Sequence, residues 1–194
     1  MDYAFDCETL DVRPTAVVLS VAFVPFYFGA EDSFRALLSR AVHFRFDITE
    51  QQRRGRTVET STLRFWAKQP QPVLERQVAV LDEPNAGPDI YDLVSPLRMT
   101  NLFRGEKEPA RFWCRGAHFD AALIDSLCSA FDVPSPWHFR AVRDIRTLEE
   151  ALALPRATEE ETPGFVAHDP CHDAAREAYV LQRAAVPPME VRSA

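Results

Sequence analysis

A nearly continuous run of apolar residues near the start of the chain constrains the fold more than any other feature. The run covers residues 16–24, Ala-Val-Val-Leu-Ser-Val-Ala-Phe-Val, and it is rich in β-branched residues. A strand with one face in water alternates apolar and polar residues, whereas a strand covered on both faces is apolar almost throughout. The pattern therefore predicts a strand over residues 16–26, in a sheet with helices on both faces.

Shorter patterns predict further strands and helices along the chain. We expect strands at residues 2–6, 43–47, 112–115 and 141–145. We expect helices at residues 60–69, 89–103, 116–130, 148–154 and 170–185. The hydroxyl groups of residues 60–62 can cap the first of these helices, and Pro170 suits the first turn of the last one. Strands that come first and then alternate with helices indicate an α/β fold, with a mixed central β-sheet flanked by helices. One domain is predicted over residues 1–186, followed by a disordered tail at residues 187–194.

The composition favours a cytoplasmic protein that does not enter a membrane. No apolar run reaches the roughly 18 residues of a membrane-spanning helix, and we expect no signal peptide because a strand begins at once without a basic stretch. The four cysteines form no Cys-x-x-Cys pair, which argues against a zinc site and a disulfide framework. The net charge of -7 argues against a protein that wraps long duplexes.

Two carboxylates end the first predicted strand. Asp6 and Glu8 point to the same side of an extended chain, while Cys7 points to the other. Neighbouring carboxylates repel each other unless a cation lies between them, and hard divalent metals take oxygen ligands. This strand therefore predicts a divalent metal site.

Two further acids and one histidine complete the pattern. Asp120 follows Gly116 at the predicted start of a helix, and Asp173 lies five residues after His168 at the start of the last helix. Each motif alone has an ordinary explanation, because acids are common at strand ends and are favoured by the dipole at helix starts. The four acids and the histidine together, in this order and in these settings, indicate a metal-dependent nuclease.

The combination resembles the DEDD exonuclease superfamily, named after its four acids, in the DEDDh branch with a histidine five residues before the last aspartate. The motifs that carry the resemblance are residues 5–9, 113–120 and 168–173, and the resemblance covers about residues 2–185. It implies an RNase H-like fold. Residues 14–20, 62–70 and 143–148 further resemble the phage exonuclease A-like group and its bacterial exoribonuclease relatives, although Phe65 stands where a second tryptophan is expected.

The resemblance implies a 3′–5′ exoribonuclease that hydrolyses single-stranded RNA and releases nucleoside 5′-monophosphates with two Mg²⁺ or Mn²⁺ ions about 3.5–4 Å apart. Asp6 would bridge both ions, and Glu8 and Asp173 would complete the site that carries the attacking water. Asp120 would serve the other ion, directly or through water. His168 would take the proton of the water near neutral pH.

The remaining histidines receive other roles. His172 is the rival base, but it lies one position before Asp173 on a helix and so faces elsewhere, and we expect it at the helix surface. We expect structural or exposed positions for His118 and His138, and a place within a strand for His43.

The resemblance also implies contacts with the terminal nucleotide just after the first motif, and Phe119 is placed to stack on a base. A tryptophan such as Trp66 is more often a core residue than a platform for a base. The residues expected to bind the substrate are Thr9, Leu10, Phe119, Trp66, Gln69 and Arg143.

Several alternatives remain open at the level of sequence. A proofreading-type 3′–5′ DNA exonuclease has the same catalytic residues, since discrimination between sugars depends on contacts with the 2′-OH. A phosphohydrolase acting on small esters would use the same metals, and a non-catalytic nucleic-acid-binding module would keep the fold without the reaction. The resemblance is also compatible with a homodimer.

Overall fold

The computed structural model describes residues 1–77, 90–91, 96–103 and 110–184. Its centre is a mixed sheet of six strands in the order β4-β3-β2-β1-β5-β6. The first strand, β1, pairs antiparallel with β2 and parallel with β5. The strands are β1 Asp2–Thr9, β2 Val18–Phe26, β3 Val42–Arg45, β4 Ile90–Tyr91, β5 Phe112–Cys114 and β6 Val142–Asp144.

Helices flank this sheet, as the sequence predicts, and the architecture agrees with an RNase H-like fold. The helices of the described residues are α1 Phe34–Leu38, α2 Ile48–Arg53, α3 Thr60–Trp66, α4 Gln71–Gln77, α5 Pro96–Phe103, α6 Asp120–Ala130, α7 Ile145–Leu152 and α8 Pro170–Gln182. Within these ranges no helix has the length and apolar character needed to cross a bilayer.

Alternation along β1 divides the core into two layers. Phe5 and Cys7 pack on one face of the sheet with Leu127 of α6, whereas Ala4 packs on the other face with Ala174 and other small residues of α8. The central strand β2 is buried along nearly its whole length, which confirms the predicted cover on both faces. Small side chains on the buried side of α8 let that helix lie close to β1, so the fold brings the start of α8 to the end of β1.

Residues 89–103 do not form one helix. Ile90 and Tyr91 instead pair parallel with His43 and Phe44, so they extend the sheet as β4. Helix α5 begins at Pro96, and its stretch to Phe103 confirms the second half of the prediction. Pairing with an available sheet edge outweighs the helical spacing of the apolar residues. Residues 92–95 and the tail at 187–194 lie outside the described residues.

The start of α3 also differs from the prediction. Its N-cap is Glu59, which makes no side-chain capping bond, and the hydroxyl of Thr62 donates to the Glu59 carboxylate at 3.4 Å. The backbone N–H of Glu59 donates to the carbonyl of Leu10 at 2.8 Å. This bond holds residue 59 extended, and the helix therefore begins directly after it.

Candidate active site

Three carboxylates meet where the end of β1 faces the first turn of α8. A carboxylate oxygen from each of Asp6, Glu8 and Asp173 lies within 4.8 Å of the other two, and all three residues are half-buried. Oxygens that share one Mg²⁺ at about 2.1 Å each lie up to about 4.2 Å apart. Small side-chain adjustments therefore bring all three onto one divalent ion.

Local structure at the start of α8 places Asp173. Asp169 caps the helix, with its carboxylate accepting the Cys171 N–H at 3.0 Å, and Pro170 occupies the first turn as expected. The Asp173 N–H donates to the Asp169 carbonyl at 2.9 Å. A carboxylate in this first turn is favoured by the helix dipole. The side chain of Asp173 is thereby held toward β1.

Two side chains, Arg115 and Gln182, make polar contacts that join α8 to its neighbours. Arg115 lies just after β5, and its guanidinium donates to the carboxylates of Glu177 on α8 and Glu149 on α7. The shortest N···O distance to each carboxylate is 2.6 Å. At the far end, the buried amide of Gln182 donates to the Asp32 carbonyl at 2.7 Å and accepts the Asp32 N–H at 3.2 Å. The Arg115 contacts hold the middle of α8 beside β5 and α7, and the Gln182 contacts tie the far end of α8 to the backbone of Asp32.

Asp120 approaches the same strand end from the other face of the sheet. It lies in the first turn of α6, it is 6% exposed, and the thiol of Cys7 donates to its carboxylate at 3.2 Å. Gly116 has φ 141°, a conformation that side-chain-bearing residues rarely adopt, and its carbonyl accepts the Asp120 N–H at 3.0 Å. Cys7 therefore does point away from Asp6 and Glu8, as the sequence predicts, and it meets the fourth acid.

The electrostatics of the four acids favour a cation. Burial is the largest cause that raises the pKa of Asp6 well above its ordinary range, and the charge of Glu8 is the next. The pKa of Glu8 is also raised well above its ordinary range, first by burial and then by the charge of Asp173. Burial raises the pKa of Asp120 to about 6 and the pKa of Asp173 to about 6. Such carboxylates gain from any positive charge placed between them. The donor set consists of oxygens, so the residues fit Mg²⁺ or Mn²⁺.

His168 lies beside this cluster. Its backbone N–H donates to the Asp173 carboxylate at 2.9 Å, and its carbonyl accepts from the amide of Gln77 at 3.0 Å. The imidazole is exposed and stands edge-on to the ring of Phe65, with ring centroids 4.9 Å apart. Partial burial lowers the pKa of His168, so the imidazole is neutral and able to accept a proton at pH 7.

His172 is not the exposed histidine that the sequence predicts. Its side chain is 12% exposed, packs near Phe34 and Phe165, and accepts the Val166 N–H on Nδ1 at 3.2 Å. The ring thus ties the loop before α8 to the helix.

The other histidines match their expectations. His118 and His138 are exposed. His43 lies in β3, where burial lowers its pKa to about 3.

Three of the residues predicted to bind substrate are buried. Trp66 is 6% exposed in an apolar cluster with Leu10, and its indole N–H donates to the Thr9 carbonyl at 2.8 Å, which confirms the core alternative. The Thr9 hydroxyl donates to the Asp11 carbonyl at 2.7 Å. Trp66 therefore supports the backbone that follows the first motif, and its ring is not open for stacking.

The other three lie at the surface or near it. Phe119 is half-buried directly before Asp120. Gln69 donates to the Phe65 carbonyl at 3.3 Å, near the end of α3. Arg143 donates to the carbonyls of Arg140 and Val142, at 2.5 and 2.9 Å, so the described contacts of its guanidinium stay within its own segment.

The structure adds three residues that sequence reasoning did not assign to the site. Phe65 is 39% exposed, and its ring contacts that of His168. It stands where the resemblance predicts a second tryptophan, and that aromatic position is a sequence signal that could have identified it. Cys7 bonds to Asp120 and Gln77 bonds to the carbonyl of His168. The sequence carries no local signal for these two contacts, which join residues far apart in the chain.

The sheet topology, the acids at the end of β1 and the histidine before α8 define an exonuclease with an RNase H-like fold. The chain belongs to the family of the Rv2179c-like 3′-5′ exoribonuclease domain, whose model matches residues 1–185. It is also 28% identical over 211 residues to a protein of Enterobacteria phage T4 named exodeoxyribonuclease, a match that covers 94% of this chain and 88% of the phage protein. The predicted DEDD-type exonuclease is confirmed at this level, and the protein is a nuclease that acts on nucleic acid.

Proposed function

We propose that this exonuclease removes nucleotides from the 3′ ends of single-stranded RNA and releases nucleoside 5′-monophosphates. The observation that carries the proposal is the convergence of carboxylate oxygens from Asp6, Glu8 and Asp173 within 4.8 Å, with His168 bonded to the last of them. An acidic cluster of this kind repels phosphate when it is free of metal, so nucleic acid binding there requires cations.

The proposal assigns two divalent ions to the four acids. Asp6 would contact both ions, Glu8 and Asp173 would hold one of them, and Asp120 would hold the other. When bound, such ions supply Lewis acidity and orient the attacking and leaving oxygens of an in-line displacement at phosphorus. The raised pKa values of Asp120 and Asp173 support this assignment, because both groups gain when a cation replaces the proton.

The chain itself supplies the proton acceptor and the base contacts. His168 is neutral at pH 7 and exposed beside Asp173, so it accepts the proton of the attacking water. Phe65 flanks the imidazole and presents an exposed ring on which the terminal base can stack, and Phe119 offers a second aromatic ring before Asp120. The proposal therefore moves the stacking role from Trp66 to Phe65.

A second candidate substrate is single-stranded DNA. The family description names an exoribonuclease, which favours RNA, whereas the phage T4 relative is named an exodeoxyribonuclease. The same acids serve both reactions, since the two substrates differ at the 2′-OH.

A single assay decides between these substrates. Matched RNA and DNA oligomers of one sequence, each labelled at the 5′ end or at the 3′ end, are incubated with Mg²⁺, with Mn²⁺ or with EDTA. We expect stepwise shortening of 5′-labelled RNA and immediate release of a labelled mononucleotide from 3′-labelled RNA, only with metal. The Asp6→Asn variant is the control for contaminating nuclease.

Faster digestion of DNA than of RNA would show that single-stranded DNA, the second candidate, is the preferred substrate. Shortening from the 5′ end, or equal rates in EDTA, would refute the proposal. Cleavage of small phosphate esters without cleavage of oligomers would favour a general phosphohydrolase, and binding of oligomers without any cleavage would favour a non-catalytic module.

The proposal includes a cytoplasmic setting and a homodimer. All four cysteines are free and buried, which suits a reducing compartment. Sedimentation equilibrium tests the homodimer, with which the resemblance is compatible.

A further inference from the structure

A buried polar chain connects the sheet to the backbone of His168. Ser20 of β2 is the cross-strand partner of Glu8, and its hydroxyl donates to the side-chain carbonyl of Gln77 at the end of α4. The amide nitrogen of Gln77 then donates to the carbonyl of His168 at 3.0 Å. Ser20 is fully buried and Gln77 is 1% exposed.

The chemistry of its neighbours fixes the orientation of the Gln77 amide. A backbone carbonyl such as that of His168 only accepts hydrogen bonds, so the amide nitrogen must face it. The side-chain oxygen of Gln77 is then left to accept from Ser20. One amide satisfies both partners, and a buried amide that loses either bond pays a desolvation penalty. Gln77 is therefore held in one place.

His168 needs such support because its backbone has an uncommon conformation. Its φ is 61°, in the left-handed region that residues other than glycine seldom occupy. Such conformations persist only where surrounding contacts impose them. Two described hydrogen bonds hold the backbone of His168, one from its N–H to Asp173 and one from Gln77 to its carbonyl. The same backbone conformation aims the imidazole at Phe65, next to the acids.

We propose that Gln77 is a positioning residue for the reaction, which holds the backbone of His168 so that the imidazole meets the attacking water. This inference rests on the proposed role of His168 as proton acceptor. Gln77 acts through its amide on a backbone carbonyl and touches none of the reacting atoms. Ser20 acts one step further back, by orienting the amide.

The first test is Gln77→Met, which keeps the length of the side chain and removes both hydrogen bonds. A misplacement of about 1 Å at a reacting group lowers a rate by up to about 10²-fold, so we expect kcat to fall by about 10- to 100-fold. We expect KM for the oligomer and Mn²⁺ affinity, measured by calorimetry, to stay within about 2-fold of the wild-type values, because the acids stay in place.

The matched control is Gln182→Met. Gln182 is also a buried glutamine that bonds a backbone segment, that of Asp32, but it lies at the opposite end of α8. We expect it to lower the melting temperature without lowering kcat at temperatures where the protein is folded. An equal loss of kcat in both glutamine variants would overturn the proposal, since it would reflect general loosening of the fold.

A double-mutant cycle separates positioning of His168 from any other effect. In a His168→Ala background, Gln77→Met should cause no further loss of kcat, because no imidazole is left to position. A full, additive loss in the double variant would refute the inference. If His168→Ala alone leaves kcat unchanged, the proposed role of His168 fails instead, so the two failures are distinguishable.

Ser20→Ala provides a second route if Gln77→Met does not fold. It removes the hydroxyl that orients the amide, and we expect kcat to fall by about 3- to 10-fold, again only when His168 is present. Wild-type kcat in folded Ser20→Ala would contradict the proposed chain from β2 to His168.

Discussion

Replacing Asp120 by asparagine should stabilise the metal-free protein at neutral pH while it impairs metal binding. Asp120 is 6% exposed, and its carboxylate accepts from the Cys7 thiol. The asparagine side chain keeps the size and one acceptor oxygen of aspartate but never ionises. The variant therefore isolates the free energy of placing a negative charge at this position.

The magnitude follows from the pKa of Asp120, which burial raises from an ordinary 3.8 to about 6. This rise corresponds to about 3 kcal/mol of destabilisation once the carboxylate is ionised in both states. Below the pKa of the unfolded chain both states are protonated and no destabilisation applies. Stability is lost as the pH rises through the folded-state pKa, because the folded protein must then release a proton that it binds more tightly than the unfolded chain does.

The assay is urea denaturation of both proteins in EDTA, followed by the fluorescence of the three buried tryptophans. At about pH 4 we expect similar free energies of unfolding, and at about pH 8 we expect the asparagine variant to be more stable by up to about 3 kcal/mol. Saturating Mn²⁺ should reverse the order at the higher pH, because ligand binding to the folded state stabilises the wild-type protein more strongly.

Equal stabilities of the two proteins at about pH 8 in EDTA would refute the reasoning, because the buried carboxylate would then carry no penalty. A variant that is less stable at both pH values would show instead that Asp120 holds the fold together. Retention of wild-type Mn²⁺ affinity would remove Asp120 from the proposed metal ligands.

Three further outcomes are expected. Asp6→Ala should abolish turnover and weaken Mn²⁺ binding in calorimetric titrations without unfolding the protein, and residual activity above a percent or so would contradict the bridging role. Trp66→Phe should lower the free energy of unfolding by about 1–3 kcal/mol, because the Thr9 carbonyl loses its buried donor; an unchanged urea midpoint would contradict the importance of that bond. Leu127→Ala should cost about 2–5 kcal/mol in the same measurement, since Leu127 is fully buried against the sheet, whereas kcat of the folded variant should stay near the wild-type value.

The active-site motifs could be read from the sequence because each follows from local backbone geometry. The period of two along a strand places Asp6 and Glu8 together and Cys7 on the other side, as observed. A proline suited to a first helical turn places the start of α8 at Pro170. The cover on both faces of β2 follows from its unbroken apolar run.

Local signals fail where a neighbouring element decides the outcome. Ile90 has helical spacing with the apolar residues after it, but Ile90 and Tyr91 pair as a strand with the edge of β3. His172 reads as a surface histidine by helical spacing, yet the loop before α8 folds over it and supplies the Val166 N–H. Pairing partners of this kind are fixed by the packing of the whole sheet.

The sequence by itself determined the pattern of strands and helices around the site and the identity of the acids and the histidine, because these depend on the side-chain period and on residue chemistry. Only the tertiary structure decided how those groups are held. The bonds from Cys7 to Asp120 and from Gln77 to His168 join residues 113 and 91 positions apart. Contacts over such separations arise when helices settle on the two faces of one sheet, and the period of a single segment carries no information about which distant residue will lie opposite.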